Sequence, residues 1–125
     1  MTAAIPATWA RGKGSSDARL LLLDPDVPGV RMVIAHAPAR TDLAARARSE
    51  QQRVAGDPKL TEITFPGGRS AWRLEAGADD GGRQVAYLFD ECKRAVTVTG
   101  TAPDGAFDSL RRRFGLVASL THVNC

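Results

Sequence analysis

The stretch from Lys59 to Gly100 is a succession of short alternating runs broken by turn residues, and it constrains the fold more than any other part of the chain. In "KLTEITF" Leu60, Glu62 and Thr64 alternate with Thr61, Ile63 and Phe65. "GRSAWRLEAG" and "RQVAYLFD" flank "ADDGG", a strong turn signal between two strands. "RAVTVTG" sets Val96 and Val98 against Thr97 and Thr99, the pattern of an antiparallel strand with one half-exposed face. Further upstream, "ARLLLLD" and "VRMVIAHA" are separated by "PDVPG", whose Pro and Gly mark the turn of a hairpin. Strands joined by such short turns pair antiparallel, because a parallel partner needs a long crossover.

Two segments carry a helical period instead. In "TDLAARARSEQQRVAG" Thr41 is placed to cap the N-terminus, Asp42 complements the first-turn dipole and Gly56 ends the helix. Its inward face is thin (Leu43, Ala47, Val54), which implies close approach to a sheet. "DGAFDSLRRRFGLVAS" has Asp104 as its N-cap and then Phe107, Leu110, Phe114 and Val117 on one stripe. Arg111, Arg112 and Arg113 fall mostly off that stripe and read as a solvated face. Gly115 weakens the helix interior without forbidding it. The expected fold is α+β: an antiparallel sheet of about six strands with both helices packed on one face, a two-layer sandwich.

At 125 residues this is a single domain, 1–125, long enough to bury one ordinary core. An apolar fraction of 43% with 25% charged residues is that of a globular protein. No apolar run reaches the roughly 20 residues of a membrane helix, so membrane association would come only through segments outside this chain. The N-terminus lacks the basic-then-apolar layout of a secretory signal. The chain is therefore read either as cytoplasmic or as a domain cut from a longer protein. The formal charge of +3 comes from 17 basic and 14 acidic residues spread along the chain, with aromatics at 6%. That distribution lacks the basic stripe and motifs of a nucleic-acid binder, and no nucleic-acid partner is expected.

The element order and its landmarks resemble the superfamily of PsbP-like domains. The matching residues are the opening "IPATW" with Pro6 and Trp9, the Gly-led strand "GGRSAWRLE", the hairpin through "AYLFDECKRAVTVTG" and the closing helix "FDSLRRRFGLVASL". That superfamily includes a photosystem extrinsic subunit, a nuclear import factor that binds a small GTPase, and bacterial lipoproteins. The chain looks most like small extracytoplasmic domains of actinobacterial proteins, including type VII secretion-associated ones. The resemblance implies a non-enzymatic binding, accessory or sensor module, alone or as part of a larger cell-envelope or secretion-associated protein. It brings no catalytic fingerprint and no site residues. Its concave sheet surface is the expected seat of a protein or peptide partner, or of a small lipid-like ligand. Trp72 and Tyr87, on neighbouring strands, read first as core or a cross-strand pair and, as the alternative, as lining a groove on the face expected to bind.

The only cysteines are Cys92 and Cys125. A nucleophilic Cys needs a base within hydrogen-bond reach. Asp90 and Glu91 beside Cys92 work against a thiolate, with Lys93 and Arg94 a partial offset. Cys125, the last residue here, is poorly placed to be held rigidly. The better reading joins them as a Cys92–Cys125 disulfide across the hairpin and the tail, with two free thiols as the alternative. Closing a loop of roughly 34 residues is worth about 3–4 kcal/mol in the chain-entropy model. A bridge implies an oxidising, extracytoplasmic compartment. Free thiols would favour a cytoplasmic protein-binding adaptor, and a small hydrolase using Cys92 with His36 or His122 is the third reading. His36, in an apolar strand, reads first as a packed histidine. No C-x-x-C or H-x-x-x-H spacing indicates a metal, and no cofactor is expected. "DPD" at Asp24–Asp26 and Asp79–Asp80 are ordinary turn aspartates. "GKGSS" at Gly12–Ser16 lacks the spacing of a phosphate loop.

Overall fold

A computed structural model describes residues 9–12, 19–24, 26–55, 57–77 and 81–123. Strands β1 (Ala10–Arg11), β2 (Arg19–Leu23) and β3 (Arg31–Pro38) come first, followed by helix α1 (Leu43–Arg53). Then β4 (Lys59–Thr64), β5 (Ser70–Gly77), β6 (Arg83–Glu91) and β7 (Arg94–Ala102) lead to helix α2 (Asp104–Ser119). The described strands form one antiparallel sheet in the order β1-β2-β3-β7-β6-β5-β4. Six strands are of ordinary length, and β1 adds a two-residue edge. The four-strand meander therefore folds back until β7 lies beside β3, with Ile34 opposite Val98 and Met32 opposite Gly100.

The two helices lie on opposite faces of this sheet, which corrects the expected one-face packing. Strand alternation makes the assignment. Val85, Tyr87 and Phe89 of β6 join Val96 and Val98 of β7 in the core beneath Phe107, Leu110 and Phe114 of α2. A Cβ built on Gly100 would meet the Phe114 ring at 2.5 Å, so α2 crosses β7 at close range. The intervening residues of β6 face the other way. Asp90, two residues on from Leu88, receives Arg46 of α1 at 2.6 Å. Ala86 and Leu88 share an opening with Glu50, Arg53 and Val54 at the end of α1. The architecture is α+β in three layers, with α1 over β4–β6 on one side and α2 over β6–β7 on the other.

The helix limits differ slightly from expectation. Asp42, not Thr41, caps α1, its Oδ1 accepting from Ala44 N at 2.9 Å and Ala45 N at 3.3 Å. Gly56 lies outside the described residues, and α1 closes at Val54, whose N–H donates to Glu50 O. Pro103 stands at the N-cap of α2, and Asp104 is its first helical residue, where a carboxylate still favours the helix dipole. The predicted stripe holds: Phe107 and Phe114 are fully buried, as nearly are Leu110 and Val117. Each such side chain contributes about 1.5–3 kcal/mol by leaving water. Gly115 has a packing reason: its missing Cβ leaves room for the Tyr87 hydroxyl, which would stand 3.0 Å away.

Candidate functional site

The register defines what each face presents. On the α1 side, Leu60, Leu74, Ala86, Thr99, Val33 and Leu21 form one row across β4-β5-β6-β7-β3-β2. The neighbouring row runs Glu62, Trp72, Leu88, Thr97 and Ala35. Helix α1 covers the β4–β6 end of these rows, and no described helix covers the β7–β3–β2 end. At the boundary lies a cleft of about 230 Å³ with a floor of Leu74, Ala76, Ala86 and Leu88. Thr97 and Thr99 form one wall, and Glu50, Arg53 and Val54 form the other. Beyond the threonines the sheet continues through half-buried Val33 and Leu21 to Leu23, which is 41% exposed.

Trp72 and Tyr87 do not share a face. They are one register step apart, Trp72 opposite Leu88 and Tyr87 opposite Arg73, so their side chains leave opposite sides of the sheet. Trp72 is half-buried on the α1 side, in the row that contains Leu88 and Thr97. Tyr87 is 4% exposed beneath α2, with its ring 6.2 Å from that of Phe65. Burial pushes its hydroxyl above the ordinary tyrosine value of 10.0, against the lowering effect of Arg73. Tyr87 is a core residue, and the expected surface pair is corrected to Trp72 alone.

Cys92 and Lys93 form the two-residue turn between β6 and β7, with φ of 51° and 62°. Two left-handed residues are what a type I′ hairpin turn requires, and neither is glycine. The chain end is tied beside this turn. Val123 N donates to Glu91 Oε2 at 2.7 Å, and His122 Nδ1 lies 2.8 Å from Glu91 Oε1. Arg69 adds its charge 3.5 Å from the same oxygen. Burial alone would raise the Glu91 carboxyl. The His122 and Val123 hydrogen bonds and the His122 and Arg69 charges outweigh that and hold it below the ordinary 4.5. No cysteine is a free thiol among the described residues, and Cys125 lies outside them.

The histidines are separated. His36 Nδ1 accepts from Arg94 Nε at 3.1 Å on β3, whereas His122 belongs to the Glu91 group. Among the described residues no group of three His, Cys, Asp or Glu side chains could hold a metal ion. Asp24 Oδ1 accepts from Asp26 N at 2.9 Å, a turn arrangement, while Asp79, Asp80 and Lys13–Ser16 lie outside the described residues. No described helix is long and apolar enough to cross a membrane. Sequence reasoning missed one group of charges. Arg111, read as solvated, donates to Glu75 Oε2 at 3.0 Å, and Arg73 and Arg83 gather around the same carboxylate.

No family model and no curated protein matches the chain. Among solved structures it is similar to the solution structure of cyanobacterial PsbP (CyanoP) from Synechocystis, with a TM-score of 0.65 and 16% identity. That match covers 96% of this chain and 84% of the other. It is also similar to a crystal structure from Bacteroides thetaiotaomicron, with a TM-score of 0.54 and 13% identity over 98% of this chain and 44% of that one. At these identities the likeness concerns the fold alone, and the fold of this chain is PsbP-like.

Proposed function

We propose that the chain is a non-catalytic, extracytoplasmic binding module whose α1-side cleft takes an apolar side chain of a protein or peptide partner. The observation that carries this reading is the cleft itself: an apolar floor at the edge of α1, opening onto a half-sheet that no described helix covers. Its 230 Å³ is below the roughly 300–1,000 Å³ of pockets that enclose a whole small molecule. It suits one large anchoring side chain, the kind of contact that dominates protein interfaces. The threonines and the half-buried Val33 and Ala35 beside it offer flat surface for the flanking partner backbone.

The compartment rests on the Cys92–Cys125 bridge, which the tail geometry supports. Glu91 holds His122 and Val123 next to Cys92, so the last cysteine follows closely on an anchored segment. A bridge there would suit an oxidising environment. A hydrolase fits less well, because Cys92 is not a free thiol and His36 is engaged by Arg94.

The cleft is tested with short peptides displayed on phage, selected on the full chain and counter-screened on Ala86→Trp, which fills the floor. Selection should enrich peptides with a central aromatic or large aliphatic residue whose binding falls at least about tenfold on the variant. Peptides that bind Ala86→Trp as well as the native chain would overturn the reading.

A further inference from the structure

The α2 side carries a second opening that the cleft does not use. Lys59 on β4, Arg73 on β5, Arg83 on β6 and Arg111 on α2 converge with Thr61 around a cavity of about 300 Å³. Strand pairing builds it, with Lys59 opposite Glu75 and Thr61 opposite Arg73. Phe107 braces two of the cations: the Arg83 and Arg111 guanidinium carbons lie 4.9 and 5.6 Å from its ring centroid. The arginine side chains remain accessible at 36–42% exposure, while that of Glu75 on the floor is 16% exposed.

The charges in this opening do not close among themselves. Arg111 Nη2 donates to Glu75 Oε2 at 3.0 Å. Arg73 Nε stands 3.7 Å from Oε1 and Arg83 Nη2 3.9 Å from Oε2, within attraction but beyond hydrogen bonding. Asp108 reaches Arg83 at 3.8 Å but is 82% exposed, where a pair contributes little. Asp57 lines only the adjoining cavity, with Lys59 and Arg83. Among the described residues four cations thus surround one largely buried carboxylate, and guanidinium forks match oxyanions.

A second observation narrows the ligand. Among the described residues Glu75 Oε1 and Arg111 Nε are buried without hydrogen-bond partners. A buried acceptor left unpaired among cations suits a ligand that is anionic overall yet still carries an O–H to donate. Phosphate near neutral pH keeps such a proton, whereas sulfate has none. We infer that this opening binds a phosphate group retaining a proton: inorganic phosphate near neutral pH, or a terminal monoester below about pH 6, where it still carries its O–H. Arg73, Arg83 and Arg111 hold its oxygens, and Glu75 Oε1 accepts its O–H.

The test is an amide NMR titration of the full chain at about pH 5.5, where a monoester still carries its proton, and at constant ionic strength with inorganic phosphate, sulfate and glycerol phosphate. Sedimentation with phosphatidylcholine vesicles, with and without phosphatidic acid, runs beside it. Phosphate should shift amides around Arg73, Arg83 and Glu75 and saturate, with sulfate at least about tenfold weaker. Arg73→Gln and Arg83→Gln, each checked for folding by circular dichroism, should weaken phosphate about tenfold. Glu75→Gln should narrow the gap between phosphate and sulfate. Saturable glycerol phosphate binding supports a soluble monoester. Binding confined to phosphatidic acid vesicles and lost in Arg83→Gln supports a lipid headgroup. Failure to saturate in every arm, or equal responses to phosphate and sulfate, would overturn the proposal.

Discussion

Arg69 leaves the β4–β5 turn and ends against the C-terminal carbonyl of α2 and the segment just beyond it, donating to Ser119 O at 2.8 Å and Thr121 O at 2.9 Å. Its guanidinium carbon lies 4.3 Å from the Phe89 ring centroid and 5.1 Å from that of Phe65. Helix α2 has no basic residue in its own last turn, so a distant arginine supplies the favourable charge at its C-terminus. Arg69 also faces Glu91, and Glu91 holds His122 and Val123. None of this was legible in the sequence, because partners some 50 positions apart leave no local signature. The carboxyl of Glu91 is depressed in the folded chain, so the unfolded chain takes up its proton first as pH falls. Its contribution is full above 4.5 and is lost as pH falls from there through the lower folded value. Urea unfolding across this range should show less acid loss in Glu91→Gln than in the native chain; identical pH profiles would remove the tail anchor from the account. Beside it, Cys92 stands out in the sequence by its carboxylate neighbours and its place at a hairpin. The left-handed turn that fixes its position could not be read there. Chain purified from an oxidising compartment should be two hydrogens lighter than after reduction by intact mass. Reduction should cost about 3–4 kcal/mol of stability, and an unchanged mass would contradict the bridge.

At the scale of elements, periodicity located every longer strand and both helices, because alternation and a helical stripe are local properties. It did not assign the helices to faces. The stripe of α2 and the thin side of α1 each say which residues turn inward, not which side of the sheet they meet. The signal that does separate them lies in the strands. In β6 both alternating sets are apolar, Val85, Tyr87 and Phe89 against Ala86 and Leu88, as a strand covered on both faces requires. In β7 only one set is apolar, and Thr97, Thr99 and Thr101 fill the other, matching the uncovered end of the α1 side. The contact between α2 and β7 depends on Gly100 having no side chain. Phe114 is fully buried and wedged between Trp9 and Phe107, with ring centroids 6.3 and 6.2 Å away, so it has little room to yield. Gly100→Ala should therefore lower stability by about 1–3 kcal/mol in urea denaturation, and a neutral result would mean that α2 can shift off the sheet.

Across the whole molecule, one sheet separates two openings of different character. The α1 side offers a cleft with an apolar floor and a half-sheet that no described helix covers, while the α2 side holds the core, the anchored tail and the arginine cluster. The sequence indicated a sheet surface as the binding region, and Trp72 does lie on the α1 side. It could not locate the cleft, which exists only where α1 ends above Ala86 and Leu88. The arginine cluster was equally hidden, since its members come from four separate elements and no run of charge announces them. The binding role of the α1 side is tested most directly by photo-cross-linking in cells of the native host. A photoreactive amino acid replaces Thr99 at the cleft, and a control carries it at exposed Arg112 on α2. A discrete adduct from position 99 that disappears with Ala86→Trp is the expected result. Adducts from position 112 alone, or position-99 adducts that survive Ala86→Trp, would contradict it.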